Sequence, residues 1–166
     1  RQCNYKTDKS PARNSLGINE IAWMGGPVSA NDEWNDEWND EWIELKNISG
    51  APLDISGWQL LDQGEQIKIT LENKKVPAGG FLLLERTDDT SVPTITADVI
   101  YSGALSNTNE GLRLFDNDCN LIDEVLASAD WPAGISEARR TMERQPNLAW
   151  ETYNGNGQTF GSLLII

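Results

Sequence analysis

The chain contains 166 residues, of which 39% are hydrophobic and 23% charged; its formal net charge is −13 and it has no histidine. This length suits one domain with short tails, and the composition excludes both a wholly disordered chain and a membrane-spanning protein. The acidic charge argues against nucleic acid as the main partner, and the absence of histidine excludes Ser-His-Asp and Cys-His catalytic arrangements and zinc sites with a histidine ligand.

The first part of the chain predicts a polar arm followed by two strands. Residues 1–16 mix Lys, Asp, Ser, Pro and Asn without a period, which indicates an N-terminal arm. Residues 18–23 alternate roughly between apolar and polar and are followed by turn formers at 25–27, which predicts a strand. After a repeated segment, the run that begins at Trp42 alternates again and places Ile43 and Leu45 on one face.

Later segments continue this pattern of short runs bounded by Gly, Pro, Asn or Asp. Further strands are predicted at residues 58–62, 66–71, 81–85, 112–115 and 121–125. The last two flank a polar stretch, residues 116–120, which indicates a hairpin. Since no long segment has a convincing helical period, the sequence predicts an all-β sandwich or barrel.

The two cysteines, Cys3 and Cys119, are far apart in the sequence and match no short redox or metal-binding spacing. One disulfide and two free thiols are the open alternatives, and we favour the disulfide. It would attach the N-terminal arm to the domain and would imply an oxidising compartment.

The sequence Asn-Asp-Glu-Trp occurs three times in succession, at residues 31–42. On a strand it would form a ladder of indoles and carboxylates, on a helix a slanted indole stripe, and a calcium loop would need a turn at each copy. We weigh a tolerated duplication against an interaction surface and a calcium site. The residues that would form the interaction surface are Asp32, Glu33, Trp34, Asp36, Glu37 and Trp38.

Three shorter motifs have structural explanations that we prefer to functional ones. Residues 116–120 resemble the start of an EF-hand loop without its later Gly and Glu, so a hairpin turn is expected. Residues 47–49 form a glycosylation sequon, and we expect its asparagine to end a strand unmodified. The densest basic cluster is expected to form cross-strand ion pairs; it consists of Arg139, Arg140 and Arg144.

Several segments occur in an order that resembles a known family. They are INEI at 18–21, DEWIELKN at 40–47, LDISGWQL at 53–60, VPAGGF at 76–81, GLRLF at 111–115 and WPAG at 131–134. Together they are similar to the lamin-tail domain in its bacterial and archaeal form, over about residues 16–153. The expected organisation is an N-terminal arm at 1–16, a lamin-tail-like β-sandwich at 17–153 and a C-terminal tail at 154–166.

The resemblance implies an immunoglobulin-like β-sandwich used as a non-catalytic module. Combined with the strand patterns, it predicts a core that includes Ile21, Ile43, Leu45, Trp58, Leu60, Leu83, Leu114 and Trp131. Trp23 and Trp150 lie near the ends of the domain and are expected to cap this core.

In microbes, domains of this family are parts of secreted or surface proteins, often beside nucleases or cell-wall modules. We therefore expect a non-enzymatic, extracellular or cell-surface interaction and assembly module of a surface protein or filament, with a second copy or a neighbouring subunit as partner. The alternatives are a carbohydrate- or cell-wall-binding module that uses exposed Trp34 and Trp38, and an accessory domain of a secreted nuclease. No cofactor, nucleic-acid partner or membrane insertion is expected, and calcium at the repeat is the remaining metal hypothesis.

Overall fold

The computed structural model describes residues 1–25, 40–88, 91–92, 95–155 and 158–161, and the backbone of 163–165. The strands in these residues are β1 (Leu16–Ala22), β2 (Trp42–Asn47), β3 (Leu53–Asp54), β4 (Gln59–Asp62), β5 (Lys68–Thr70), β6 (Lys75–Val76), β7 (Phe81–Arg86), β8 (Val99–Tyr101), β9 (Thr108–Phe115), β10 (Leu121–Asp130), β11 (Met142–Arg144), β12 (Trp150–Thr152), β13 (Gln158–Phe160) and β14 (Leu163–Ile165). The described part of the chain holds no helix that could span a lipid bilayer.

Two sheets pack together as an immunoglobulin-like β-sandwich, which confirms the predicted fold class. The larger sheet has six strands in the order β12-β11-β1-β2-β7-β8, and β7 and β8 are its parallel pair. The smaller sheet has four antiparallel strands in the order β10-β9-β4-β5. Strands β3 and β6, and strands β13 and β14, form separate two-stranded ladders.

The hydrophobic core lies between the facing sides of the two sheets. Side chains alternate between the two faces of a strand, so Ile43 and Leu45 of β2 point inward beside their register partners Leu84 and Leu82 of β7. Full burial of one such side chain contributes roughly 1.5–3 kcal/mol to stability. The residues predicted for the core are all at most 8% exposed; they are Ile21, Ile43, Leu45, Trp58, Leu60, Leu83, Leu114 and Trp131. Leu83 is the register partner of Glu44 and alternates with the inward-pointing Leu82 and Leu84, so it is buried on the outer face of its sheet.

The N-terminal arm covers the outer face of the four-stranded sheet. Cys3 and Cys119 form a disulfide with their Cα atoms 5.4 Å apart, which is the cysteine alternative that the sequence favours. The backbone amide of Cys3 donates to the side-chain carbonyl of Gln59 at 2.8 Å. The arm and the sheet thereby share a second hydrophobic cluster, made of Cys3, Leu61, Phe115 and Leu121.

The loop that carries Cys119 is the predicted hairpin turn between β9 and β10. The carboxylate of Asp116 accepts hydrogen bonds from the backbone amides of Asp118 (2.9 Å) and Asn120 (2.8 Å) and from the Asn120 side chain (3.0 Å). Cys119 adopts a φ of 60°, a left-handed conformation that occurs in tight turns. The Asp116 oxygens that an EF-hand would turn towards calcium are therefore engaged by the loop itself.

The segment predicted as a C-terminal tail contains a hairpin of β13 and β14, residues 158–165, which we call the C-terminal hairpin. It lies on the outer face of the six-stranded sheet, because it contacts Trp42, which alternates with the inward-pointing Ile43. Phe160 packs edge-on against Trp42 with the ring centroids 6.1 Å apart, and against Phe81 at 6.0 Å. Both sheets of the sandwich thus carry a terminal segment on their outer faces.

Candidate functional site

The interaction residues proposed in the repeat lie outside the described residues; they are Asp32, Glu33, Trp34, Asp36, Glu37 and Trp38. The structure does describe both flanks of this segment, residues 23–25 after β1 and residues 40–42 at the start of β2. The flanks run side by side, since Ala22 and Trp42 are register partners. We call the two flanks and the side chains that contact them the repeat base.

The side chain of Gln158 joins the two flanks of the repeat base. Its Nε2 donates to the carbonyl of Gly25 at 2.8 Å, and its Oε1 accepts a hydrogen bond from Nε1 of Trp42 at 2.9 Å. Gln158 is fully buried. A buried polar group left without its partner costs about 1–3 kcal/mol, so this side chain holds both ends of the repeat segment at neighbouring positions.

The third copy of the repeat ends inside the protein, where Glu41 and Trp42 are buried. The carboxylate of Glu41 accepts a hydrogen bond from the backbone amide of Leu105 at 3.0 Å and forms an ion pair with Arg86 at 3.3 Å. Burial raises the pKa of Glu41 to about 8, against the lowering effects of the Leu105 amide and Arg86. The third copy therefore belongs to the fold.

Sequence reasoning missed Gln158. It placed Glu41 in the segment 40–47 that resembles the family, but it did not predict that its carboxylate is buried. Glu41 shares the Asn-Asp-Glu-Trp sequence with Glu33 and Glu37, so the repeat by itself does not indicate that Glu41 is buried. Gln158 lies in a polar stretch that was predicted to be a tail. A signal for either role exists only in contacts between residues that are far apart in the sequence.

Trp23 of the repeat base stacks on the indole of Trp131. Their centroids are 6.3 Å apart and their planes differ by 9°. The Nε1 of Trp23 donates to the carbonyl of Ala133 at 3.0 Å, and that of Trp131 to the carbonyl of Ser106 at 2.9 Å. Because both side chains are buried, their ring faces serve packing and are closed to a sugar ring.

The turn that closes over this pair requires glycine. Gly134 has a φ of 95°, and a Cβ atom added to it would lie 2.5 Å from Nε1 of Trp23. A larger residue would therefore be strained in its backbone and would collide with the indole.

The basic cluster takes part in contacts within the fold. Arg144 forms an ion pair at 2.9 Å with Asp123 of β10, which belongs to the other sheet, so this pair joins the two sheets and is not the cross-strand pair that the sequence predicted. The guanidinium of Arg144 lies 4.6 Å from the ring centroid of Trp150. Arg139 donates a hydrogen bond to the carbonyl of Met24 in the repeat base. Trp150 is partly buried and packs against the core, as a capping residue would.

The sequon asparagine, Asn47, is fully buried at the end of β2. Its Nδ2 donates to the carbonyls of Ala51 (2.7 Å), Val76 (2.9 Å) and Pro77 (3.1 Å). A glycan would have to be attached to this same nitrogen. The folded chain therefore cannot carry a sugar at Asn47.

Comparison with known proteins supports the resemblance seen in the sequence. The family model described as Lamin Tail Domain matches residues 9–128. None of the curated proteins matches the chain. The matched region includes Glu41 and Trp42, whereas Gln158 and the C-terminal hairpin lie beyond it.

Proposed function

The chain belongs to the Lamin Tail Domain family, and we propose that it is a non-catalytic interaction and assembly module of a surface protein or filament. The observation that carries the proposal is the repeat base. Buried hydrogen bonds at Gly25, Glu41 and Trp42 hold both flanks of the repeat segment on the sandwich. We assign the binding role to the two copies before the buried one, residues 31–38.

The buried end of the third copy supports this assignment. Packing of the fold accounts for Glu41 and Trp42 of the third copy. The sequence of the repeat holds two further Trp residues, Trp34 and Trp38, to which we assign binding. Tryptophan is enriched among the side chains that contribute most to protein interfaces. A segment anchored at both ends also loses less conformational freedom on binding than a free tail does.

The proposed partner is a protein, either a second copy of this chain or a neighbouring subunit. The proposed location is extracellular or at the cell surface. The Cys3–Cys119 disulfide supports that location, because disulfides persist in oxidising compartments and are rare in the cytosol. The proposal needs no metal ion and no cofactor.

Deletion of residues 31–38 tests the proposal, because it leaves the third copy intact. Glu41 and Trp42 keep their partners, so the melting temperature should stay within about 2 °C of that of the full chain. Concentration-dependent association, measured by sedimentation velocity, should be lost. The measurement needs about 0.15 M salt, because a net charge of −13 makes copies repel each other at low ionic strength.

A second test is the full-length double variant Trp34→Ala, Trp38→Ala, which removes the two indoles but keeps the length and charge of the segment. We expect it to lose association as the deletion does. Association that survives both changes contradicts the assignment of the repeat. A full chain that stays monomeric at every concentration rejects the second copy as partner.

A further inference from the structure

Three glutamates lie side by side on the outer face of the six-stranded sheet, beneath the C-terminal hairpin. Glu20 of β1 is the register partner of both Glu143 of β11 and Glu44 of β2. Directly opposed side chains on antiparallel strands project from the same face, with Cβ atoms roughly 4.5–5.5 Å apart, and like charges in such pairs are destabilising. We call these three side chains the carboxyl row.

The C-terminal hairpin is bonded to every member of the carboxyl row. Oγ1 of Thr159 lies 3.0 Å from Oε2 of Glu20 and is also within hydrogen-bond distance of Oε1 of Glu143. The backbone amide of Gly161 donates to Oε1 of Glu44 at 2.5 Å. These polar contacts hold the hairpin to the sheet together with the packing of Phe160.

The number of hydrogens at Thr159 leaves room for one added proton in the row. A threonine hydroxyl has one hydrogen to donate, and Thr159 contacts two carboxyl oxygens. Glu20 Oε2 also accepts a hydrogen bond from Thr141 at 2.6 Å. If Glu20 and Glu143 were both ionised, Thr159 could donate its hydrogen to only one of them, and its oxygen would face a lone pair of the other. One added proton on a carboxyl group makes both contacts hydrogen bonds.

The electrostatic surroundings favour the protonated forms of Glu20 and Glu44. Burial, and after it the charge of Glu44, raises the pKa of Glu20 well above its ordinary value. Burial raises the pKa of Glu44 to about 7, against the lowering effects of Asn19, the Gly161 amide and Lys46. The charged groups around the row are Lys46 on β2, Glu143 and Arg144 on β11 and Glu151, the register partner of Glu143, on β12.

Protons can reach the row from solvent. A groove of about 560 Å³ opens beside it and is lined in part by Glu20, Glu143 and Gly161. We propose that the carboxyl row is a proton-operated latch, which holds the C-terminal hairpin on the sheet while it is protonated and releases the hairpin when it ionises.

The direction of the pH effect follows from linkage between protonation and docking. A carboxyl group whose pKa is raised in the docked state stabilises docking fully below its ordinary pKa, and this stabilisation is lost as the pH rises through the raised value. For Glu44 the window runs from 4.5 to about 7. Docking therefore weakens from acidic to neutral pH.

Release of the hairpin would also affect the repeat base. Gln158 precedes Thr159 on β13, and its side chain bonds Gly25 and Trp42. When the hairpin leaves the sheet, both flanks of the repeat segment lose this partner. The latch thus connects the protonation of the outer face to the rigidity of the repeat base.

Amide hydrogen exchange of Gly161 in the full-length protein tests the latch. The protection factor, corrected for the intrinsic exchange rate, should fall at least about tenfold between about pH 5.5 and about pH 8. The amides of β9, in the middle of the other sheet, serve as the internal reference and should keep their protection. A Gly161 protection factor that is equal at both pH values overturns the proposal.

Matched variants identify the groups responsible. The double variant Glu20→Gln, Glu44→Gln keeps the size of the two side chains and one acceptor oxygen on each, but it replaces the other oxygen by an NH2 group and removes their titration. The pH dependence of Gly161 protection should therefore fall below about twofold. Glu151→Gln removes one carboxyl group at an exposed position and should keep most of the pH dependence. A double variant that retains the wild-type dependence contradicts the latch.

A measurement without any substitution covers the case in which the double variant does not fold. Carbon-13 NMR follows the side-chain carboxyl groups of the wild-type chain during a pH titration. We expect Glu20 and Glu44 to titrate above the range of the exposed glutamates. Ordinary glutamate pKa values for both would overturn the proposal.

Discussion

The outer faces of the two sheets are each covered by a terminal segment, but the two covers are held by different chemistry. The N-terminal arm is held on the four-stranded sheet by the Cys3–Cys119 disulfide. The C-terminal hairpin is held on the six-stranded sheet by the packing of Phe160 and by buried carboxyl groups. We therefore expect the first cover to respond to reductant and the second to respond to protons.

Arg113 holds the N-terminal arm through contacts that do not depend on a group titrating near neutral pH. Its Nη1 donates to the carbonyls of Tyr5 (2.7 Å) and Thr7 (2.8 Å), and its Nη2 lies 3.0 Å from Glu124. The guanidinium also lies 5.1 Å from the ring centroid of Tyr5. Because arginine stays charged at all ordinary pH values, these contacts are independent of protons in the range where the carboxyl row responds.

The largest expected effect is on the arm. Replacement of both cysteines, Cys3→Ser and Cys119→Ser, opens a cross-link between residues 116 positions apart. In the chain-entropy model, closing a loop of this length adds about 4–5 kcal/mol to the free energy of unfolding, less any strain. Urea denaturation of the variant should show that this free energy falls by a similar amount. The pH dependence of Gly161 protection should remain, and its disappearance would show that the two covers are coupled.

The next largest effect is expected at the hairpin. Phe160→Ala removes a ring that is 9% exposed and contacts Trp42 and Phe81. Truncation of a buried phenylalanine costs about 3 kcal/mol or more, so the hairpin should lose its docking, with Gly161 protection falling at every pH. Amides in the arm should keep their protection in the same exchange experiment. Equal loss in both covers would contradict independent docking.

A smaller effect is expected for Arg113→Lys. Lysine keeps the charge but cannot reproduce the planar fork that reaches two carbonyls and a carboxylate, so unfolding free energy should fall by about 1–2 kcal/mol. Arg1→Lys, at an exposed position, is the matched control and should change stability by less than about 0.5 kcal/mol. Equal unfolding free energies for the two variants in urea denaturation would contradict the role of Arg113 in holding the arm.

The smallest effect is expected from Tyr5 at alkaline pH. Burial raises its pKa to about 12, against the lowering effect of Arg113, so its contribution is present below pH 10 and is lost as the pH rises towards 12. Tyrosinate absorbance of the wild-type chain minus that of Tyr5→Phe should show this titration directly. A midpoint near 10 would show that the arm does not shield the ring.

Much of the sandwich could be predicted from local patterns. The two-residue alternation at Ile43 and Leu45 and the polar residues 116–120 between two apolar runs correctly indicated strands and a hairpin, since each signal lies within a few neighbouring residues. The hairpin of residues 158–165 was missed. Its strands are only three residues long, and Phe160 gains its partners, Trp42 and Phe81, from distant strands.

The sequence by itself therefore determined the all-β class, the family, the inward-facing residues and the pair of cysteines that could close a disulfide. Tertiary structure alone decided that Glu41 is buried while its local sequence is shared with Glu33 and Glu37, and that Glu20, Glu44 and Glu143 stand in one row. The physical reason is that alternation along a strand tells which face a side chain takes. Its neighbours on that face depend on the register between strands that the chain brings together only when it folds.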